Sequence, residues 1–241
     1  MNNTDVTFFS PQIPPSWMIR PILKQITNKT VKLDPKDRKN YVLYDGEEDD
    51  IDVYYTINSQ GYREKEYAEN YSEFDRLILA IGPSCVFGIN VRNSHCWPRL
   101  LENSLPNTRV LNFGVAGASM DSISRMTSCL IPYFKSRCRK LEVVALWAFM
   151  DRREIFLDDY MCSWSPPVDP PFPEFVLGID DTSSSYNHEK NETMVRAVCS
   201  QYDVPLYVVS WDIYENATKD GEHPTAQHHR EMLLDIVGQI K

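Results

Sequence analysis

The sequence predicts an α/β fold, a three-layer doubly wound parallel sheet with helices on both faces, preceded by an irregular N-terminal arm. Three observations predict it. Short apolar runs at 76–81, 109–112, 142–147 and 205–210 are continuous rather than alternating, as in strands covered on both faces. Helix-length stretches at 97–104, 119–137, 189–202 and 225–240 alternate with them, and strands alternating with helices imply parallel pairing. The chain has 241 residues, 42% of them hydrophobic, which is enough for one such domain with a full core and too little for two.

In chain order, residues 1–57 read as an arm packed on the core. Pro11, Pro14, Pro15, Pro21 and Pro35 interrupt any periodicity there. The acidic run at 46–50 reads as a solvated loop, because its carboxylates lack the spacing of a calcium loop. Residues 58–241 form the domain. Its first strand, at 76–81, is purely apolar after Arg76, and the run at 205–210 is rich in β-branched and aromatic residues. The last helix places Met232, Leu233, Ile236, Val237 and Ile240 on one stripe, so it covers the sheet. One stretch breaks the pattern. Between 163 and 181, Pro166, Pro167, Pro170, Pro171 and Pro173 are interleaved with Trp164, Phe172 and Phe175, which forbids a helix or central strand. An irregular excursion is expected, either a plain surface loop or a lid or partner-binding patch.

Charge and cysteine content remove several function classes. Acidic residues outnumber basic ones by 34 to 25, for a net charge of -9, so a nucleic-acid partner is not expected. The six cysteines (Cys85, Cys96, Cys129, Cys138, Cys162, Cys199) form no pair or cluster at metal-ligand spacing, and reduced thiols are the expectation. The first residues lack the basic and apolar regions of a signal peptide, and no apolar run approaches the ~20 residues of a membrane span. A cytoplasmic protein is expected, with virion association as the alternative.

In a doubly wound sheet, ligands collect at the carboxyl ends of the strands. The segment after the first strand, Gly82-Pro83-Ser84, puts a serine on a strand-to-helix turn, where its hydroxyl is presented and its own N–H can receive an anion. The segment after the second runs from Asn112 through Gly114 and Gly117 to Ser119, and glycine lets backbone approach a ligand. Just before the last helix come Asp220 and His223. A serine, glycine amides and a histidine with a carboxylate three residues upstream are the parts of an acyl-transfer site.

Each part also has an ordinary use. By position alone Ser84 reads first as a helix N-cap, and only the accompanying Asp220 and His223 reverse that; Gly114 and Gly117 also read as turn formers, and His223 as a loop residue. His228 and His229 lie inside the last helix and read as solvent-facing or packing residues.

In order and spacing, these segments resemble the SGNH (GDSL-type) hydrolases. The matches are Gly82 and Ser84 to the Gly-Asp-Ser block, Asn112 and Gly117 to the second block, and Asp220 and His223 to the final Asp-x-x-His. The lead-in Asn58-Ser-Gln-Gly61-Tyr62-Arg63 is similar to one found in many members. The resemblance implies Ser84 as nucleophile, His223 as base and Asp220 as its orienting partner. It also implies the Ser84 and Gly117 amides as oxyanion donors, with no metal or organic cofactor. Two positions depart from the pattern. Pro83 replaces the aspartate before the serine, and Met150 stands where the third block has an asparagine that donates to the oxyanion, which a thioether cannot do.

Asn112, Asp151, Arg152 and Arg153 are candidate substrate contacts, although residues 151–154 read more readily as an ion-pair network. The implied substrate is a small acyl ester or acylated glycan. A protein partner would engage the N-terminal arm or the Pro-rich segment. The rival expectation is a non-catalytic module with the same fold, serving binding or assembly in a cell surface or virion, and it draws on Pro83 and Met150.

Overall fold

The structure is a computed structural model, and it describes residues 41–48, 51–58, 62–150, 152–157, 160–164, 181–209 and 223–240. Four parallel strands form the central sheet: β3 (Arg76–Gly82), β4 (Thr108–Gly114), β5 (Leu141–Leu146) and β8 (Leu206–Val209). Their spatial order is β4-β3-β5-β8. The chain thus steps from β3 to one neighbour, then crosses back over β3 to β5. The strand order therefore reverses between β3 and β5, and their carboxyl ends open on the crevice where ligands of such sheets bind.

Continuous apolar strands have to be covered twice, and they are. Leu77, Leu79 and Ile81 of β3 share one core with Leu111, Phe113, Val143 and Ala145. This core is closed by α3 (Met120–Lys135) and α4 (Asp181–Gln201), through Ile123, Leu130, Phe134, Val195 and Val198. Ile78 and Ala80 face the other way, into a core with Val110, Val144 and Leu146. That side is covered by α2 (Trp97–Ser104) and α5 (Ala226–Gln239), with Trp97, Leu101, Met232 and Ile236 buried among them. The α/β, three-layer expectation holds, and all four expected strands and all four expected helices are present.

Three differences are informative. Within the expected irregular arm, Tyr41–Glu48 (β1) and Ile51–Ile57 (β2) pair as an antiparallel hairpin, with a register shift between Tyr44 and Glu47. A second antiparallel pair, β6 (Arg153–Leu157) and β7 (Tyr160–Trp164), follows the loop after β5, so Ser163 and Trp164 belong to a strand and not to the excursion. The third difference is that α4 begins at Asp181 rather than at 189. The rest of the Pro-rich excursion, with Phe172 and Phe175, lies outside the described residues, as do residues 1–40.

Among the described residues, Cys85, Cys96, Cys129, Cys138 and Cys199 are free thiols, no His/Cys/Asp/Glu group could hold a metal ion, and no helix is long and apolar enough to cross a membrane.

Candidate active site

The crevice is bordered by the turns that follow β3, β4 and β5. After β3 the chain enters α1 (Ser84–Phe87), a single helical turn whose four residues are all buried. Pro83 occupies its N-cap and makes no side-chain cap hydrogen bond. Ser84 is therefore not the cap. It is the first helical residue, with its N–H among the donors that a helix start leaves without an intrahelical acceptor. Having no N–H, Pro83 loses nothing at this position, while its carbonyl accepts from Val86 N (2.9 Å) and Phe87 N (3.1 Å).

The turn after β4 supports α1 from below. Gly114 lies under it so closely that a Cβ there would fall 2.7 Å from Phe87 Cα and nearer still to other backbone atoms of Val86 and Phe87. Asn112 is buried, and both ends of its amide are engaged within the protein: Nδ2 donates to the Val86 carbonyl (2.9 Å), and Oδ1 accepts from Gly114 N (2.8 Å). It thus ties α1 to the end of β4. Gly117 has φ +78°, and a Cβ on it would meet nothing within 4 Å, so it combines a turn conformation with an open side. Ser119 then caps α3 in a reciprocal capping box with Ser122.

Beyond β5, the side chains of Phe149 and Met150 are 42% and 53% exposed. Arg153 donates to the Met150 carbonyl (2.7 Å) and, through Nη2, to Ser183 O and Ser184 Oγ at the start of α4. Arg152 lies over the Phe149 ring, 4.8 Å from its centroid. Glu154 accepts from Ser122 Oγ (2.8 Å) and pairs with Arg125 (2.7 Å). These contacts fasten the β6–β7 pair to α3. The loop's charged residues are thus largely engaged in an internal network, and Asp151 lies outside the described residues.

His223 is half-buried just before α5, whose N-cap is Thr225 in a capping box with His228, while Asp220 lies outside the described residues. His229 is fully buried, and its Nδ1 accepts the backbone N–H of Trp97 (3.2 Å), the first residue of α2. Burial, reinforced by the positive charge of Arg63 and by the neighbouring His228, His223 and His95, drives its pKa from 6.5 down to about 3. The imidazole is therefore neutral, and it joins two helices. It acts as a packing residue.

Three positions carry structural roles that the linear sequence did not signal. Glu64, fully buried, accepts from Arg99 (3.0 Å), Arg109 (2.9 Å) and the Asn112 amide (3.0 Å), so two cations and a strand N–H offset the cost of burying its charge. Arg63 donates to the carbonyls of Phe87, Gly88 and Val91, at the end of α1 and just past it. Asn58, the first residue of the lead-in, accepts from Tyr62 N (2.9 Å) and donates to Lys65 O (3.2 Å), and so holds the backbone on both sides of Arg63 and Glu64.

No protein-family model and no curated protein sequence matches the chain. Solved structures that resemble it are GDSL/SGNH-type esterases and lipases. One is the psychrotrophic esterase EstA from Pseudoalteromonas sp., at 10% identity and a TM-score of 0.47, covering 68% of this chain and 96% of that one. The aryl esterase of M. smegmatis gives 15% identity and a TM-score of 0.38, covering 68% and 98%. Est24, a carbohydrate acetylesterase from Sinorhizobium meliloti, gives 11% and 0.38, with the same coverage.

Proposed function

We propose that this chain is a serine esterase acting on small acyl esters, acetyl esters of sugars among them, through a covalent intermediate on Ser84. The observation that carries the reading is the placement of Ser84. A serine that is not a cap stands at the first position of a buried helical turn, at the carboxyl end of β3, beside the reversal in strand order. In this reading His223 takes the Ser84 proton as Oγ attacks the ester carbonyl carbon, and the N–H groups of Ser84 and Gly117 receive the oxyanion. His223 then returns the proton to the departing alcohol. Water, deprotonated by the same histidine, cleaves the acyl-enzyme and restores the serine. Asp220 orients His223 and stabilises the imidazolium without accepting the proton.

The test is labelling by a fluorophosphonate together with hydrolysis of p-nitrophenyl acetate. Both should occur in the wild type, be lost in Ser84→Ala and His223→Ala, and be strongly slowed in Asp220→Asn. A second reading, a non-catalytic module of the same fold, draws on the thioether of Met150 at the position of an oxyanion donor. A wild type inert toward both reagents would favour it.

A further inference from the structure

Ser84 sits on only one turn of helix, and a single turn does not hold itself in place. Its own bonds are few: Val86 N and Phe87 N donate to the Pro83 carbonyl, and Gly88 N (2.8 Å) and Ile89 N (3.3 Å) donate to the Ser84 carbonyl. The segment that follows is conformationally costly. Gly88 has φ +82° and Asn90 φ +61°, so two residues of three adopt left-handed backbone, one of them bearing a side chain. Something outside the segment has to impose this shape.

The lead-in and the N-terminal hairpin do so. Arg63 is buried at 2% exposure and spreads its guanidinium over three carbonyls of the segment: Phe87 (3.2 Å), Gly88, and Val91 (2.7 Å). Gly88 passes so close that a Cβ there would lie 2.9 Å from Arg63 Nη1 and collide with Cys96 Sγ. Tyr55, on β2 and also 2% exposed, completes the arrangement. Its ring lies under the guanidinium (4.5 Å) and against the Phe87 ring (5.5 Å), and its hydroxyl accepts the N–H of Asn90 at 2.7 Å. Tyr55 therefore holds the left-handed residue, and Arg63 holds the carbonyls on either side of it.

Resting on the esterase reading, we propose that Arg63 and Tyr55 are positioning residues for Ser84, so that the β1–β2 hairpin is part of the catalytic apparatus and not a detachable arm. Neither touches the reacting atoms. They fix where the one-turn helix ends, and through the Gly88-to-Ser84 bond they fix where it begins, which sets both the Oγ and the oxyanion-donating N–H.

Tyr55→Phe is the sharpest test, because it deletes one oxygen and leaves the packed ring. The substitution should lower kcat toward p-nitrophenyl acetate about tenfold with little change in KM, since misplacing a reacting group by a fraction of an ångström acts on the transition state. Rates are referred to sites titrated by the fluorophosphonate, which removes any contribution from unfolded protein. Arg63→Met should cost about a hundredfold, and Arg63→Lys, which restores a cationic donor, should recover part of that loss. A merely structural role would lower the Tm of these variants and leave kcat per titrated site unchanged. An active wild type with Tyr55→Phe at the wild-type kcat overturns the positioning role alone. A wild type inert to both reagents overturns the esterase reading, and the positioning role with it.

Discussion

The turn after β3 and the loop after β5 flank the same reversal of strand order, yet they are held in opposite ways. In the first, every residue of Ser84–Phe87 is buried, the backbone rests on Gly114, and Asn112 and Arg63 bind its carbonyls. In the second, Phe149 and Met150 are exposed, and among the described residues the hydrogen bonds to them are to their carbonyls, from Arg152 N (3.3 Å) and Arg153 Nη1 (2.7 Å). Asn112 and Arg63 bind carbonyls of the turn that carries Ser84 and of the segment that follows it, so that backbone is held from outside the turn. Met150, more than half exposed, belongs to neither buried core among the described residues.

The largest expected effects fall on the tightly held side. Ser84→Ala should reduce ester hydrolysis by about 10⁴-fold or more while leaving the Tm within a degree or two, because it removes one hydroxyl and no cap. Residual turnover at the wild-type rate would assign the chemistry elsewhere. Gly114→Ala should be the costliest for stability, about 3 kcal/mol or more, since the new methyl group enters the space of the Val86 and Phe87 backbone and α1 has to be displaced. Urea unfolding measures it, and a change under 1 kcal/mol would show that α1 is not seated on β4 as described.

The same contrast separates what was legible in the sequence from what was not. Strands buried on both faces are continuous apolar runs, so β3, β4 and β5 can be read directly, and with them the serine turn at Gly82-Pro83-Ser84, while the only partly buried β8 is legible from its β-branched and aromatic residues. The two hairpins were not legible. Asp49-Asp50 and Asp158-Asp159 separate their strands in the sequence, and neither pair is the Asn-Gly or Asp-Gly that announces a tight turn. The start of α4 was hidden as well, because residues 181–188 (DTSSSYNH) are weak helix formers with no apolar stripe. The lead-in is legible as a pattern, but the work of Arg63 and Glu64 is not, because the carbonyls that Arg63 binds and the cations and strand N–H that Glu64 accepts from lie 24 to 48 residues away. Long-range satisfaction of a buried charge leaves no local trace.

A pH experiment tests the helix side of the site, where His229 links α5 to the first residue of α2. Its pKa is lowered from 6.5 to about 3 by burial first, then by Arg63, His228, His223 and His95. Between these two pH values the unfolded chain binds a proton that the folded chain refuses. The stability contributed by the neutral, buried imidazole is thus fully present above pH 6.5 and declines as the pH falls toward 3, by at most about 1.4 kcal/mol per pH unit. His229→Gln, whose amide oxygen can still accept from Trp97 N, should flatten the dependence of the urea midpoint between pH 7 and pH 5. An unchanged slope would assign the acid sensitivity to other groups.

The smallest expected effect, and the one that probes the loosely held side, is that of Met150→Asn. The side chain is 53% exposed and packs into neither core, so the exchange should alter stability by no more than about 0.5 kcal/mol. If position 150 corresponds to the asparagine of the third block, the new amide can donate to the oxyanion, and removing such a donor from a serine hydrolase costs about 10² to 10³ in kcat. The full amount should not return. An exposed side chain keeps its rotamer freedom, which lowers the fraction of time an amide would point at the crevice, so a gain of about three- to tenfold in kcat is expected. KM should hardly move, because the donor acts on charge that develops in the transition state and not on the bound ester. A fall in kcat with the fold intact would mean that Met150 itself serves the substrate, as an apolar surface beside Phe149. That outcome would reverse the comparison, making the exposed loop the more specialised of the two.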